Sequence, residues 1–308
     1  MNRAEKLDYI VRLLLAVIFI ALMTFCAEFI GNKEIIFPEI GALALGLWVS
    51  DKKVWSVRKW QIPLLFTLAS VAGIMIVRHV PLSLPWQFEI GFLFMVLVLM
   101  TLKTSMTPAI SACLLPILMG TDSWVYPLSV VVMTAILAIG QKVMENKGLK
   151  EVFDTDKTTE EPFGKTLLRW LMLMIALVPI MVVTTHYGWK FALTPPLIVT
   201  MVEFASSHSG FRDRPVSIWI TIVLCAILGA AAEGVAHQMW GVPQTINAIL
   251  VSLIVLLSFR LTKKSFAPAV AIALVPMILP AEAVIWFPLY VMGGAGYFIG
   301  VSKMIVSY

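Results

Sequence analysis

Four carboxylates stand inside or at the edge of long apolar stretches: Glu28, Glu39, Glu203 and Glu233. A charged group at the centre of a bilayer costs at least about 2.5 kcal/mol, so it faces a cavity or a partner. Burial also raises the pKa of a carboxylic acid, which suits such a group to carrying a proton. Glu203, late in an apolar run, is the first candidate for that chemistry. The competing reading has it reaching an aqueous interface beside His208, Arg212 and Arg214. Glu28 and Glu39 lie near the predicted outer ends of their segments, within reach of water. Glu233 and His237 read as an interfacial pair.

Prolines are the second signal. Pro38, Pro108, Pro116, Pro195, Pro196, Pro268 and Pro276 fall in short apolar runs. A proline in a membrane helix frees a carbonyl that must be satisfied within the protein or in a wet cavity. Broken helix ends also present N–H groups that attract anions. One reading is a substrate path lined by Met106-Thr107-Pro108-Ala109 and Phe266-Ala267-Pro268-Ala269, opposed by Phe37-Pro38-Glu39-Ile40-Gly41 and Thr194-Pro195-Pro196. The other is that the prolines only cap or kink short helices. The substrate-binding candidates are Glu39, Gly41, Thr107, Pro108, Ser111, Thr194, Pro195, Glu203 and Pro268. Arg58 and Arg214 occupy equivalent loop positions, where they recruit anions to a cytoplasmic mouth or simply fix topology.

The elements that carry these residues follow from composition. The chain has 308 residues, 60% hydrophobic and only 13% charged, with a mean hydropathy of +0.92. Soluble domains average roughly 25% charged residues, so a polytopic all-α membrane protein is expected. The formal charge of +5 does not point to nucleic acid, because the basic residues sit in short segments between apolar runs. The N-terminal run resembles a signal peptide but lacks a small-x-small cleavage site, and reads as a retained first helix.

Six apolar segments are expected in the first half, over residues 11–30, 35–49, 61–77, 89–102, 105–120 and 124–143. A charged linker follows over 144–166, rich in Glu145, Glu151, Asp154, Asp156, Glu160 and Glu161. Six more segments run over 167–185, 195–206, 216–236, 245–259, 266–279 and 285–301. The second and fifth of each half are short for a span, which needs about 20 residues. If all twelve cross with the N-terminus inside, twenty of the 23 basic residues fall on the cytoplasmic side, leaving Lys33, Arg78 and Lys190 outside. The positive-inside rule favours that arrangement, with both termini cytoplasmic, in an inner-membrane-like bilayer.

The halves overlay at an offset of about 156 to 161 residues. Arg58 meets Arg214, Gly73 meets Gly229, Pro108-Ala109 meets Pro268-Ala269, Pro116 meets Pro276, and Pro127-Leu128 meets Pro288-Leu289. The expected plan is therefore two tandem repeats, 1–143 and 167–308. An even number of crossings makes them parallel, a plan in which discontinuous helices at the repeat interface form the site.

Cys26, Cys113 and Cys225 lie in apolar stretches with no C-x-x-C spacing, and four dispersed histidines offer no metal set. No metal or cofactor is expected. P-loop, H-E-x-x-H and G-x-S-x-G motifs are missing, which argues against an ATP-driven pump, a protease and a hydrolase. Trp124, Trp240 and Trp286 read as interface anchors.

Each half also resembles the HPP family of membrane proteins. The resemblance is carried by Gly41-Ala42-Leu43-Ala44, Arg58, Thr107-Pro108-Ala109-Ile110-Ser111-Ala112 and Trp124 to Leu128, and in the second half by Arg214-Pro215, Ala267-Pro268-Ala269-Val270-Ala271 and Pro288-Leu289. The naming His-Pro pair is replaced by Met106-Thr107 and Phe266-Ala267. Some HPP members are associated with nitrite transport. The six-helix halves are also similar to the fusaric acid resistance and aromatic acid exporter group, which implies export of organic acids. The expected function is a secondary transporter or channel for a small solute, a small anion or weak organic acid, and not an enzyme. The alternative is a non-transporting subunit or sensor acting through a partner. Expected partners are the bilayer and the solute, and homo-oligomerisation is compatible with the sequence.

Overall fold

The computed structural model describes residues 3–152, 163–206, 212–262 and 265–306. Every regular element among them is helical. In the first half these are α1 (Arg3–Ile30), α2 (Glu39–Ala44), α3 (Gln61–His79), α4 (Leu84–Thr101), α5 (Pro108–Met119) and α6 (Val125–Asn146). In the second they are α7 (Phe163–His186), α8 (Pro195–Ala205), α9 (Pro215–Ala231), α10 (Gln244–Thr262), α11 (Ala267–Leu274), α12 (Ala281–Val284) and α13 (Phe287–Val306). A π-helical turn, Leu45–Val49, prolongs α2, and a longer one, Ala232–Met239, prolongs α9.

Seven helices among the described residues are long and apolar enough to cross a membrane: Glu5–Ile30, Gln61–His79, Leu84–Thr101, Val125–Asn146, Phe163–His186, Pro215–Met239 and Gln244–Thr262. Between Leu13 and Ala27, α1 carries no charged residue on any face. Leu13, Ala16, Val17, Ile20 and Met23 are buried, while Leu14, Ile18, Leu22, Phe25 and Phe29 form an exposed stripe at helical spacing.

The short helices are different in kind. All residues of α2, α8 and α11 are buried, and so is α5 from Pro108 to Leu118. At 12 residues the longest of them, α5, is about 18 Å long, well short of a hydrocarbon core of about 30 Å. Their prolines mostly open helices. Pro108 and Pro195 sit in the first turns of α5 and α8, where their fixed φ is preorganised and no donor is lost. Pro38 caps α2, and Pro268 lies in the first turn of α11. Pro276 turns the end of α11 into a 3-10 segment, and Pro116 alone sits inside a continuous α-helix.

The four buried helices form the centre. α2 packs on α11, and α5 packs on α8, so first-half helices meet second-half helices there. Around them α1 packs on α10 and α4 on α7. Within each half, α3 packs on α5 and α6, and α9 packs on α11 and α13. Two glycines permit the closest approaches. A Cβ on Gly73 would overlap the Cys113 carbonyl oxygen and sit 2.6 Å from Pro116 Cγ, and one on Gly229 would overlap the Ala273 carbonyl.

Residues 153–162, the middle of the expected linker, lie outside the described residues, as do His208, Lys263 and Lys264. The linker's first residues continue α6 to Asn146.

Candidate functional site

Glu203 lies in the last turn of α8, and the centre brings two first-half donors to it. Trp55 Nε1 donates to Glu203 Oε1 at 2.9 Å, and the Thr107 hydroxyl donates to the same oxygen at 2.8 Å. All three side chains are buried. Thr107 is the N-cap of α5, so proline at the next position sets where the helix starts and thereby aims the hydroxyl at α8. Trp55 arrives from the segment after the π-helical turn. Its ring edge fills the space a side chain at position 46 would occupy, and a Cβ on Gly46 would meet Cη2 at 2.6 Å. The two donors fix the carboxyl group where the halves meet. The interface reading of Glu203 is not what the structure shows. Arg212, expected beside it, donates from Nε and Nη2 to the Phe204 and Ala205 carbonyls, each at 3.0 Å, and so closes the end of α8.

Glu39 opens α2 and is only 1% exposed, so the expectation that it reaches outer water is corrected. The short run from Ile36 tucks this end of α2 inward, where the Phe37 N–H meets Met23 Sδ at 3.3 Å. Ser111, on the buried face of α5, interacts with the carboxylate, yet neither Glu39 oxygen nor the Ser111 hydroxyl closes a hydrogen bond among the described residues. Tyr126 stands within electrostatic reach of Glu39 and donates its hydroxyl to the Ala112 carbonyl at 3.0 Å. Gly41 faces α11, where a Cβ would sit 2.8 Å from both Val270 Cγ1 and Leu274 Cδ1.

The other expected residues are placed less uniformly. Thr194 and Pro195 are buried at the start of α8, with the Thr194 hydroxyl turned back to the Phe191 carbonyl. Pro268 is buried in α11. Arg58 and Arg214 are exposed, just before α3 and at the N-cap of α9.

Glu28 and Glu233 act at the opposite end of α1. Glu28 is part-exposed, and its carboxylate is turned to a neighbouring helix. It accepts from the Gln244 and Thr245 N–H groups and the Thr245 hydroxyl, capping α10 from another helix. Glu233, in the π-helical turn, is fully buried and does not pair with His237. It accepts from Gln244 Nε2 at 3.1 Å, and Lys33 Nζ lies 3.9 Å from it. His237 Nδ1 instead meets the Val242 carbonyl at 2.8 Å. Both ends of the assembly are thus tied across the two halves: Trp55 and Thr107 to Glu203 at one, Glu28 and Lys33 to the α9–α10 region at the other.

Two functional candidates carry no local sequence signal: Trp55 and Tyr126. A tryptophan beside Lys52 and Lys53 reads as an interface residue, and only the return of α8 makes it a carboxylate donor.

The chain matches no family model, no curated protein and no solved structure.

Proposed function

We propose that this chain is a multi-pass membrane protein, built from two parallel copies of a six-segment unit, that acts as a secondary transporter for a small solute, a small anion or weak organic acid. The observation that carries the reading is the pair of buried carboxylates, Glu39 and Glu203, held on short proline-started helices where the halves meet. An intramembrane carboxylate is by default a functional group. Among the described residues, Glu39 lacks the hydrogen bonds that a purely structural carboxylate would have.

Supporting observations come from both halves. The exposed faces of the long helices are apolar, which suits lipid and not water. The pairs α3–α5 and α9–α11, α2–α11 and α8–α5, and α1–α10 and α7–α4 each recur under the offset seen in sequence. That recurrence is what a duplicated unit related by an axis along the membrane normal produces. The positive-inside imbalance supports an inner-membrane-like location with cytoplasmic termini. The HPP resemblance agrees with the size of solute.

An ionised carboxylate repels an anion, so these acids serve the coupling step. Each takes the proton that accompanies a weak acid or anion and returns it on the other side. Proteoliposomes holding a pH-sensitive dye, given formate or nitrite under an imposed pH gradient, test this. Wild type is expected to move protons with the anion, and Glu39→Gln and Glu203→Gln to uncouple or stop it. Unchanged flux and unchanged pH dependence in both variants would remove the coupling role. The close packing of the central helices favours a second reading, a non-transporting subunit acting through a partner. A stoichiometric partner co-purifying with an inactive chain would establish that reading.

A further inference from the structure

Three buried oxygens where α2 meets α5 have no hydrogen-bond partner among the described residues: Glu39 Oε1, Glu39 Oε2 and Ser111 Oγ. α2 packs on α5 and α6, which bring Ser111 and Tyr126 to the carboxylate. All three side chains are buried.

The surroundings of Glu39 offer lone pairs and few donors. Pro116 has no N–H, so the Ala112 carbonyl lacks its usual helical partner. The Tyr126 hydroxyl gives its one proton to that carbonyl at 3.0 Å. Toward Glu39 the phenol oxygen can then only accept. The Phe37 ring stands edge-on to Tyr126 at 6.0 Å and holds the phenol in place. Ser111 has a single proton to give, against a carboxylate that accepts on both oxygens. Buried oxygens in this excess are satisfied only when something positive sits among them.

The second half fills the corresponding places without polar groups. At the offsets that overlay the halves, Pro38 falls on Pro195, Glu39 on Pro196, Ser111 on Ala271 and Tyr126 on Phe287. Pro196, Ala271 and Phe287 are buried as well, and α8 packs on α11 and α13 as α2 packs on α5 and α6. Serine differs from alanine, and tyrosine from phenylalanine, by one oxygen. The hydroxyls of Ser111 and Tyr126 are therefore not needed to fill the space.

We propose that Glu39, Ser111 and Tyr126 bind one small monovalent cation, Na⁺ or Li⁺, through the carboxylate, the serine hydroxyl and the phenol oxygen. Oxygen ligands suit a hard cation. One carboxylate balances one positive charge, and among the described residues no group of three His, Cys, Asp or Glu side chains is placed to hold a metal ion of higher charge. The packing is tight, since a Cβ on Gly41 would sit 2.8 Å from Val270 and Leu274, and this selects a small dehydrated ion over K⁺. The cation and a proton compete for the same carboxylate. Ser111 follows Thr107 by four residues, so one face of α5 addresses both Glu39 and Glu203, at points about 6 Å apart along the helix. As a binding site the inference stands by itself; as the coupling ion of a transport cycle it rests on the transporter reading.

The experiment is thermal unfolding of the full chain in detergent at pH 8, titrated with NaCl, LiCl or KCl against choline chloride at constant ionic strength. NaCl and LiCl are expected to raise the Tm saturably, and KCl to raise it less at equal concentration. Ser111→Ala and Tyr126→Phe install the residues of the second half, so both chains should fold, and each should weaken the apparent Na⁺ affinity about tenfold. Glu39→Gln should abolish the shift, whereas Glu89→Gln, which removes a different carboxylate on α4, should leave it unchanged. No Na⁺-specific stabilisation of wild type, equal stabilisation of Glu39→Gln, or unchanged affinity in both hydroxyl variants overturns the site. Vesicle flux separates this site from the transporter reading. Formate uptake driven by an inward Na⁺ gradient at equal pH is expected in wild type and lost in Ser111→Ala. Formate uptake indifferent to Na⁺ would take the cation off the cycle and leave the transporter standing. Stabilisation by Na⁺ without any flux of formate or nitrite would leave the site and remove the transporter.

Discussion

The geometry at Glu203 makes a prediction that can be worked to a number. Thr107→Val preserves shape and removes the hydroxyl that donates to Oε1 at 2.8 Å. A hydrogen bond to a charged acceptor contributes about 1.5–3 kcal/mol, a neutral one about 0.5–1.5. The Trp55 indole remains on the same oxygen, so the carboxylate keeps one donor and the loss should fall near 2 kcal/mol. In the Glu203→Gln background the acceptor is neutral, and the same Thr107→Val change should cost about 1 kcal/mol. The double-mutant cycle thus carries a coupling of about 1 kcal/mol, within the range for residues in direct contact. Trp55→Phe should behave alike, with an added packing loss from the smaller ring. Equilibrium unfolding in mixed micelles, followed by near-ultraviolet circular dichroism, measures all four corners. If Thr107→Val costs the same with and without the Glu203 carboxylate, a charged acceptor for the Thr107 hydroxyl is refuted, whatever the transport assays report.

Gly229→Ala and Gly73→Ala should each lose about 1–3 kcal/mol, because each new methyl would meet a backbone carbonyl that cannot rotate away, whereas Gly300→Ala, with nothing within 4 Å, should be neutral or slightly stabilising. Thermal unfolding of the three variants side by side checks this, and a neutral Gly229→Ala would refute the close α9–α11 approach. Glu28→Gln should cost about 1–3 kcal/mol, since it weakens a cap made of two N–H groups and a hydroxyl at the start of α10. Hydrogen exchange should then show the first turn of α10 opening first, and uniform protection would contradict the capping role.

Much of the architecture is readable from residue order. Apolar runs with polar breaks declare helices, because a backbone in lipid must satisfy its own hydrogen bonds. The prolines marked which segments would be short, and Pro108, Pro195 and Pro268 do stand in the first turns of α5, α8 and α11. Glu203 and Glu39, singled out because a carboxylate in an apolar run needs a reason, are both buried at the centre. Gly73 and Gly229, paired by the sequence offset, both stand at close helix approaches, to α5 and to α11.

What it could not state is who meets whom. A buried carboxylate announces that it needs partners without naming them. Trp55 lies 148 residues from Glu203, and Thr245 lies 217 from Glu28. Those pairings exist only because α2 packs on α11, α5 on α8 and α1 on α10. The same limit explains the corrections. Glu39 and Glu233 sit near predicted segment ends, which reads as access to water, but neighbouring helices close over those ends, while Glu28 stays part-exposed and caps α10. Local order determined the helices, their lengths and the residues that would need an explanation. Tertiary packing alone decided which of them are satisfied and which stay open, because those outcomes depend on contacts between segments far apart in the chain.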